Sequence, residues 1–248
     1  MTGQPYPIGT PGVPWGEEEK QAWYGAQVFR RSYADEVQSR IKGLANRFDV
    51  LSYGELAYAK AAYPLFGVLT REWRPAHPVV LITGGVHGYE TSGVQGAIRF
   101  LQTRAVDYAS RFNIAVAPCI SPWGFETINR WNPDAIDPNR SFFEDTQCTE
   151  SAQVMAWVSR LPGPILAHFD LHETTDTDNS EFRPALAARD GVDLDEWEIP
   201  DGFYLVGDTH RPAPEFQRAI IGSVSNVTHI APADDADRII GAPVTQPG

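Results

Sequence analysis

His87 and Glu90 stand three residues apart in Pro78-Val-Val-Leu-Ile-Thr-Gly-Gly-Val-His-Gly-Tyr-Glu90, an apolar run that breaks into a glycine turn. An imidazole and a carboxylate presented where a buried strand gives way to a loop, and then to a helix, can bind one small cation and leave coordination positions open. Zinc suits such a pair, because it accepts nitrogen and oxygen donors in a tetrahedral shell, and it then needs a third protein ligand from elsewhere. Pro164-Ile-Leu-Ala-His-Phe-Asp-Leu-His172 offers one. Its strand alternation puts His168, Asp170 and His172 on one face. His172, nearest the carboxyl end, is the expected ligand, and His168, deeper in the run, reads as a core or supporting histidine. Two histidines and a carboxylate with a free fourth position make a catalytic composition, whereas a structural zinc site is closed and usually rich in cysteine.

Between these runs lies Ser121 to Phe142, too rich in Pro, Gly and Asn for an ordinary helix or strand, and it carries Arg130 and Arg140. Loops that follow strands are where sites are built. Beside a metal ion, one guanidinium can stabilise the oxyanion that forms when water attacks a carbonyl, and another can hold a carboxylate through two hydrogen bonds. The aromatic residues Trp123, Phe125, Trp131, Phe142 and Phe143 read mainly as packing residues, one or two of them available to line a pocket.

The order Gly-Gly-x-His87-Gly-x-Glu90, then Pro122-x-Gly with Arg130-Trp131, then Asp137-x-Asn139-Arg140-x-Phe142, then Asp170-Leu-His172 resembles the zinc carboxypeptidase superfamily. The compact spacing and the Asp-Leu-His ending are similar to its succinylglutamate desuccinylase and aspartoacylase branch. The matched motifs span roughly residues 78 to 175. The resemblance implies a hydrolase that cleaves an amide bond next to a carboxylate, in a small peptide or an N-acyl amino acid. It implies one zinc ion per chain held by His87, Glu90 and His172, with Arg130 polarising the scissile carbonyl and Asn139 and Arg140 gripping a substrate carboxylate. Asp137 takes the place that hydrogen-bonds a ligating histidine and fixes its tautomer. The family also uses a glutamate on a late strand to take a proton from the attacking water, and no residue here matches it. Strand alternation points Glu173 away from the metal, and no motif favours Glu181, Glu196, Glu198 or Glu215. The ending Gly241-Ala-Pro-Val-Thr-Gln-Pro-Gly248 reads as a stop inside a domain. The base is therefore expected beyond Gly248, or else the chain is a catalytically inactive relative that binds zinc and peptide or acyl amino acid. A chain ending there is expected to bind zinc and to turn over amide bonds very slowly.

Composition sets the outer bounds. A chain of 248 residues can bury one sizeable core. A net charge of −12 argues against nucleic acid as a partner. Two cysteines are too few for a disulfide scaffold, so Cys119 and Cys148 are expected as free thiols. With no signal-peptide pattern and no apolar stretch long enough to span a bilayer, the default expectation is a cytoplasmic protein without a membrane partner.

The alternation of elements predicts a three-layer α/β domain whose site lies at the carboxyl ends of the strands, and the resemblance implies a zinc carboxypeptidase-like α/β/α domain with a mixed twisted sheet. Residues 1–16 read as a Pro/Gly-rich arm and 17–248 as the catalytic domain, lacking its C-terminal strand. Helices are expected over Glu17–Asn46, Thr91–Tyr108, Thr149–Arg160 and Pro214–Ile221. Strands are expected over Val50–Leu56, Tyr63–Thr70, Asn113–Ile120 and Asp201–Gly207, besides the runs into His87 and His172. Thr174 to Glu181 lacks the glycine and glutamate spacing of an EF-hand and reads as a solvated loop.

Overall fold

The computed structural model describes residues 6–58, 61–194 and 198–244. It divides into two compact units, Trp15–Glu173 and Thr174–Gly248 together with Met1–Pro14. In the first, helix α1 (Glu17–Gly25) is followed by a π-helical turn (Ala34–Gln38) that runs into α2 (Ser39–Lys42). Strands β1 (Phe48–Tyr58), β2 (Ala61–Thr70) and β3 (Val79–Gly84) come next, then α3 (Thr91–Thr103), α4 (Ala105–Tyr108) and β4 (Asn113–Ala117). The unit closes with α5 (Pro122–Thr127), a 3-10 turn (Pro138–Arg140), α6 (Thr149–Val158) and β5 (Ile165–Leu171).

The five strands lie in the order β1-β2-β4-β3-β5. β1 pairs antiparallel with β2, and β2 antiparallel with β4, while β4, β3 and β5 run parallel. The sheet is therefore mixed, as the resemblance implies, and helices flank it, as the alternating sequence pattern predicts. β4 is buried along its whole length and β3 nearly so, which explains why both read as continuous apolar runs. Helix α6 is fixed to the sheet by Trp157, which stacks on Tyr53 of β1 at 5.0 Å and 17°. Because β3, β4 and β5 point the same way, the His87 turn, the arginine loop and His172 all follow the carboxyl ends of the parallel strands, at one end of the sheet.

Four local expectations are corrected. The helix expected over Glu17–Asn46 is broken after α1, because Glu126 captures the following segment. Its backbone oxygen accepts the N–H groups of Arg30 (2.7 Å) and Arg31 (3.2 Å), and its carboxylate accepts the N–H of Tyr33 (2.7 Å). Tertiary bonds there outweigh helix propensity. The strand expected over Asn113–Ile120 stops at Ala117, since Pro118 has no N–H to give the ladder. The arginine loop contains α5, started by Pro122 in the first helical turn. In the second unit, Asp201–Gly207 forms only a single bridge, Phe203 to Ile230.

The second unit also holds a π-helical turn (Asp178–Phe182) running into α7 (Arg183–Asp190), then α8 (Pro214–Val224) and the short pair β6 (Arg238–Ile239) and β7 (Ala242–Pro243). Asp178, expected in a solvated loop, is buried and accepts the Thr175 N–H at 3.0 Å, which starts that turn. Among the described residues no helix is long and apolar enough to cross a membrane.

Candidate metal centre

The turn from Gly85 to Glu90 is held by its neighbours. Ile120 and Ser121 donate their N–H groups to the Gly84 and Gly85 carbonyls (3.1 and 2.9 Å), Ser121 Oγ donates to the Val86 carbonyl (2.6 Å), and Tyr89 N–H donates to the Asn129 carbonyl (3.1 Å). Gly88 sits where these contacts leave no room, since a Cβ there would lie 1.9 Å from the Phe125 nitrogen and 2.0 Å from the Gly124 carbonyl carbon. Backbone cannot swing aside as a side chain can. Gly88→Ala is therefore expected to cost more than ~2 kcal/mol of stability, read as a lower urea midpoint at unchanged slope. A loss under ~0.5 kcal/mol, the scale of a neutral surface change, would contradict this packing. Gly93 plays the matching part in α3: a Cβ would come 2.3 Å from the Leu171 carbonyl oxygen. The first turn of α3 thus lies on the end of β5 and brings Glu90 to His172.

Around Glu90 the three expected ligands converge, with one donor atom from each lying within 4.8 Å of the others. His87 Nδ1 is 2.7 Å from Glu90 Oε1, and His172 Nδ1 is 2.8 Å from Glu90 Oε2. The second contact lacks the direction of a hydrogen bond, and Oε2 is buried without an aligned donor. An orphaned buried carboxylate oxygen is costly. Each carboxylate oxygen of Glu90 thus faces one imidazole nitrogen across a short gap, which fits a carboxylate that shares a cation with both. His87 and Glu90 are buried, whereas the His172 side chain is 32% exposed, so the group is open on one side.

Each histidine turns its other nitrogen to a second carboxylate. His87 Nε2 lies 3.0 Å from Asp137 Oδ1, and His172 Nε2 lies 2.7 Å from Asp170 Oδ2. A proton on Nε2 donated outward leaves Nδ1 a bare lone-pair donor. Asp170 was given no part by the sequence motif beyond its place in it, although the alternation that set it beside His172 on one face was the available signal. Thr83 of β3 holds it, donating to Asp170 Oδ1 at 2.5 Å, and the same hydroxyl meets His168 Nε2 at 2.7 Å. His168 thus supports the site from behind.

Burial works against charge on these groups, and their partners decide the outcome. Despite burial, His172 and His87 hold Glu90 below its ordinary value. His87 and Arg130 do the same for Asp137, and His172 and Thr83 for Asp170. His172 is pushed down by burial but lifted further by Asp170 and Glu90, up to about 10. His168 is lowered by burial.

Arg130 is tied into the same network. Its Nε donates to Asp137 Oδ2 at 3.0 Å and its Nη1 lies 3.4 Å from the Tyr89 hydroxyl. One carboxylate, Asp137, thereby binds both His87 and the guanidinium. Trp131 anchors the loop, with its ring 6.1 Å from Trp15 and 5.4 Å from Trp23. Trp123, Phe125 and Trp131 are core residues, but Phe142 and Phe143 are largely exposed and do not pack as expected. Asn139 and Arg140 follow on the 3-10 turn, where Asn139 N–H donates to Asp137 Oδ1 at 2.9 Å. Arg140 is exposed, and among the described residues no ion pair holds its side chain. Glu173 accepts the Ser92 N–H at 3.0 Å and so caps α3. Glu181, Glu198 and Glu215 belong to the second unit, and Glu196 lies outside the described residues.

No protein-family model and no curated protein sequence matches the chain. Solved structures do. A protein of Shewanella amazonensis SB2B, provisionally described as a metallopeptidase, superposes with a TM-score of 0.59 over 86% of this chain and 77% of its own, at 20% identity. One of Shewanella denitrificans OS217 with the same description gives 0.58 over 84% and 68%, also at 20% identity. The chain shares the fold of these two proteins, a mixed sheet flanked by helices. Within that fold the His87, Glu90 and His172 group sits at the shared end of the parallel strands.

Proposed function

We propose that this protein is a zinc-dependent hydrolase that cleaves an amide bond next to a carboxylate, as a carboxypeptidase or an N-acyl amino acid deacylase. The observation that carries the reading is the linkage through Asp137: two histidine Nδ1 atoms face Glu90, and the carboxylate behind one of them also grips Arg130. A metal donor set and a fixed cation are thus built as one unit, as attack by water on a carbonyl requires.

His87, Glu90 and His172 would hold the ion, which supplies an acidified water, with a pKa brought to ~7, and a polarised carbonyl. Asp137 and Asp170 keep the protons of both imidazoles on Nε2 and the Nδ1 lone pairs facing inward. Arg130, already aligned by Asp137, stabilises negative charge as it grows on the carbonyl oxygen. Asn139 and Arg140, one turn further on, hold the substrate carboxylate. The exposed Arg140 is available to a ligand, since no ion pair among the described residues occupies it.

Hydrolysis of C-terminal amino acids from short peptides, and of N-acyl amino acids, by a protein that carries the general base, measured with zinc present and after its removal by a chelator, tests the reading directly. Activity on one of the two substrate classes, its loss on chelation and its return with zinc are expected. Arg140→Ala should raise KM by roughly 10- to 100-fold for substrates with a free carboxylate, the worth of a charge-assisted hydrogen bond. Amidated analogues should be barely affected. Equal losses for the two kinds of substrate would remove Arg140 from that role.

A further inference from the structure

The first turn of α6 carries Glu150 and Ser151, two residues that no motif points to and that are 1% and 0% exposed. A buried glutamate needs donors, and Glu150 has three. The Tyr58 hydroxyl of β1 donates to Oε1, while Asn132 Nδ2 (3.2 Å) and Cys148 Sγ (3.3 Å) donate to Oε2. Asn132 is the hub of the arginine loop. Its Oδ1 accepts the N–H groups of Asp134 (3.1 Å) and Ile136 (3.0 Å), its own N–H donates to the Ile136 carbonyl (3.0 Å), and its carbonyl accepts the Ala135 N–H (3.0 Å). Ala135 is held there at φ 57, a left-handed conformation that costs a residue with a side chain of order 1 kcal/mol or more unless its surroundings impose it.

Ser151 works on the other flank. Its Oγ donates to the Pro138 carbonyl at 2.7 Å, and the N–H of that same peptide, from Asn139, donates to Asp137 Oδ1 at 2.9 Å. The peptide plane is gripped at both ends. Asp137 therefore lies between two points, Asn132 and Pro138, that are both bonded to the start of α6, and α6 is itself fixed to the sheet by the Tyr53–Trp157 stack.

We infer that Glu150 and Ser151 are positioning residues for the candidate centre: they clamp the arginine loop to α6 on both sides of Asp137 and so set where that carboxylate meets His87 and Arg130. The significance of the clamp for catalysis rests on the hydrolase reading above; the clamp itself does not. Neither residue touches the donor set, and each acts through the loop.

Hydrogen exchange on the metal-free protein tests this. In Glu150→Leu the amides of Asp134 and Ile136 should exchange ~10-fold faster, the factor for about one lost hydrogen bond, while those of β3 and β4 keep their rates. Glu150→Gln, whose amide oxygen can still accept from Asn132 while its NH2 group donates to the Tyr58 hydroxyl, should restore the parent pattern. Ser151→Ala, which changes little volume, should free Asn139 in the same way and covers the case in which Glu150→Leu does not fold. A merely structural role would speed all amides together, and that result, or no change in the loop, would overturn the proposal. A second reading uses zinc loss to a chelator. Glu150→Leu should speed it by roughly 10-fold, within the range for disturbing a carboxylate behind a ligating histidine, and should add nothing in an Asp137→Ala background. If zinc loss accelerates equally in both backgrounds, the clamp does not act through Asp137. A parent protein that holds no zinc would defeat the metal reading and leave the exchange pattern to judge the clamp.

Discussion

His87→Ala and His172→Ala are each expected to abolish stoichiometric zinc, where the parent chain retains about one ion after dialysis. Each change removes one of three donors whose atoms lie within 4.8 Å of one another. Two remaining protein donors cannot close a tetrahedral shell against water, so the loss must exceed the roughly 10- to 100-fold that follows from disturbing an outer partner such as Asp137. The two histidines differ in a useful way. His87 is buried between Glu90 and Asp137, and His87→Ala leaves both carboxylates without their shared imidazole, so a fall in stability accompanies the loss of metal. His172 is a third exposed, and His172→Ala should keep the fold more nearly intact. Glu90→Gln retains an oxygen donor without its charge and is expected to weaken retention less than either histidine variant. Elemental analysis decides the matter: one zinc per chain in both alanine variants would remove the centre as drawn.

The convergence of His87, Glu90 and His172 was legible because its signal is local. A buried parallel strand reads as an apolar run, a glycine turn ends it, and alternation along β5 places His172 on a definite face. The α/β architecture followed from the same periodicities, and the mixed sheet from the resemblance. What escaped the sequence depends on partners distant in the chain. Nothing in Glu17–Asn46 says that Glu126 will interrupt its helix. Nothing in Thr149–Val158 distinguishes Glu150 from the acidic residues that often open a helix on the solvent side. Its burial is settled by Tyr58 and Asn132, 92 and 18 residues away. Gly88 and Gly93 were visible as glycines, but the backbone approaches that demand them were not. Phe142 and Phe143 show the reverse, since aromatic character suggested packing for most of the loop's aromatics, and these two are exposed.

On the proposed reading, and in a protein that carries the general base, Arg130→Ala is expected to lower kcat by on the order of 10²-fold or more with little change in KM, because the charge it would meet develops only in the transition state. That factor corresponds to about 2.7 kcal/mol at the barrier. The geometry makes the test selective. Asp137 holds His87 through Oδ1 and Arg130 through Oδ2, so truncating the arginine leaves the histidine contact in place and zinc content should stay at the parent value. Arg130→Lys keeps a positive charge but not the planar fork that donates to Asp137, so it should recover only part of the rate. Asp137→Asn should damage both functions, lowering zinc retention and kcat together, since an amide can serve His87 or Arg130 less well than the carboxylate that now serves both. If Arg130→Ala instead raises KM and leaves kcat alone, the guanidinium binds the ground-state substrate, and the task of meeting the oxyanion passes to another group.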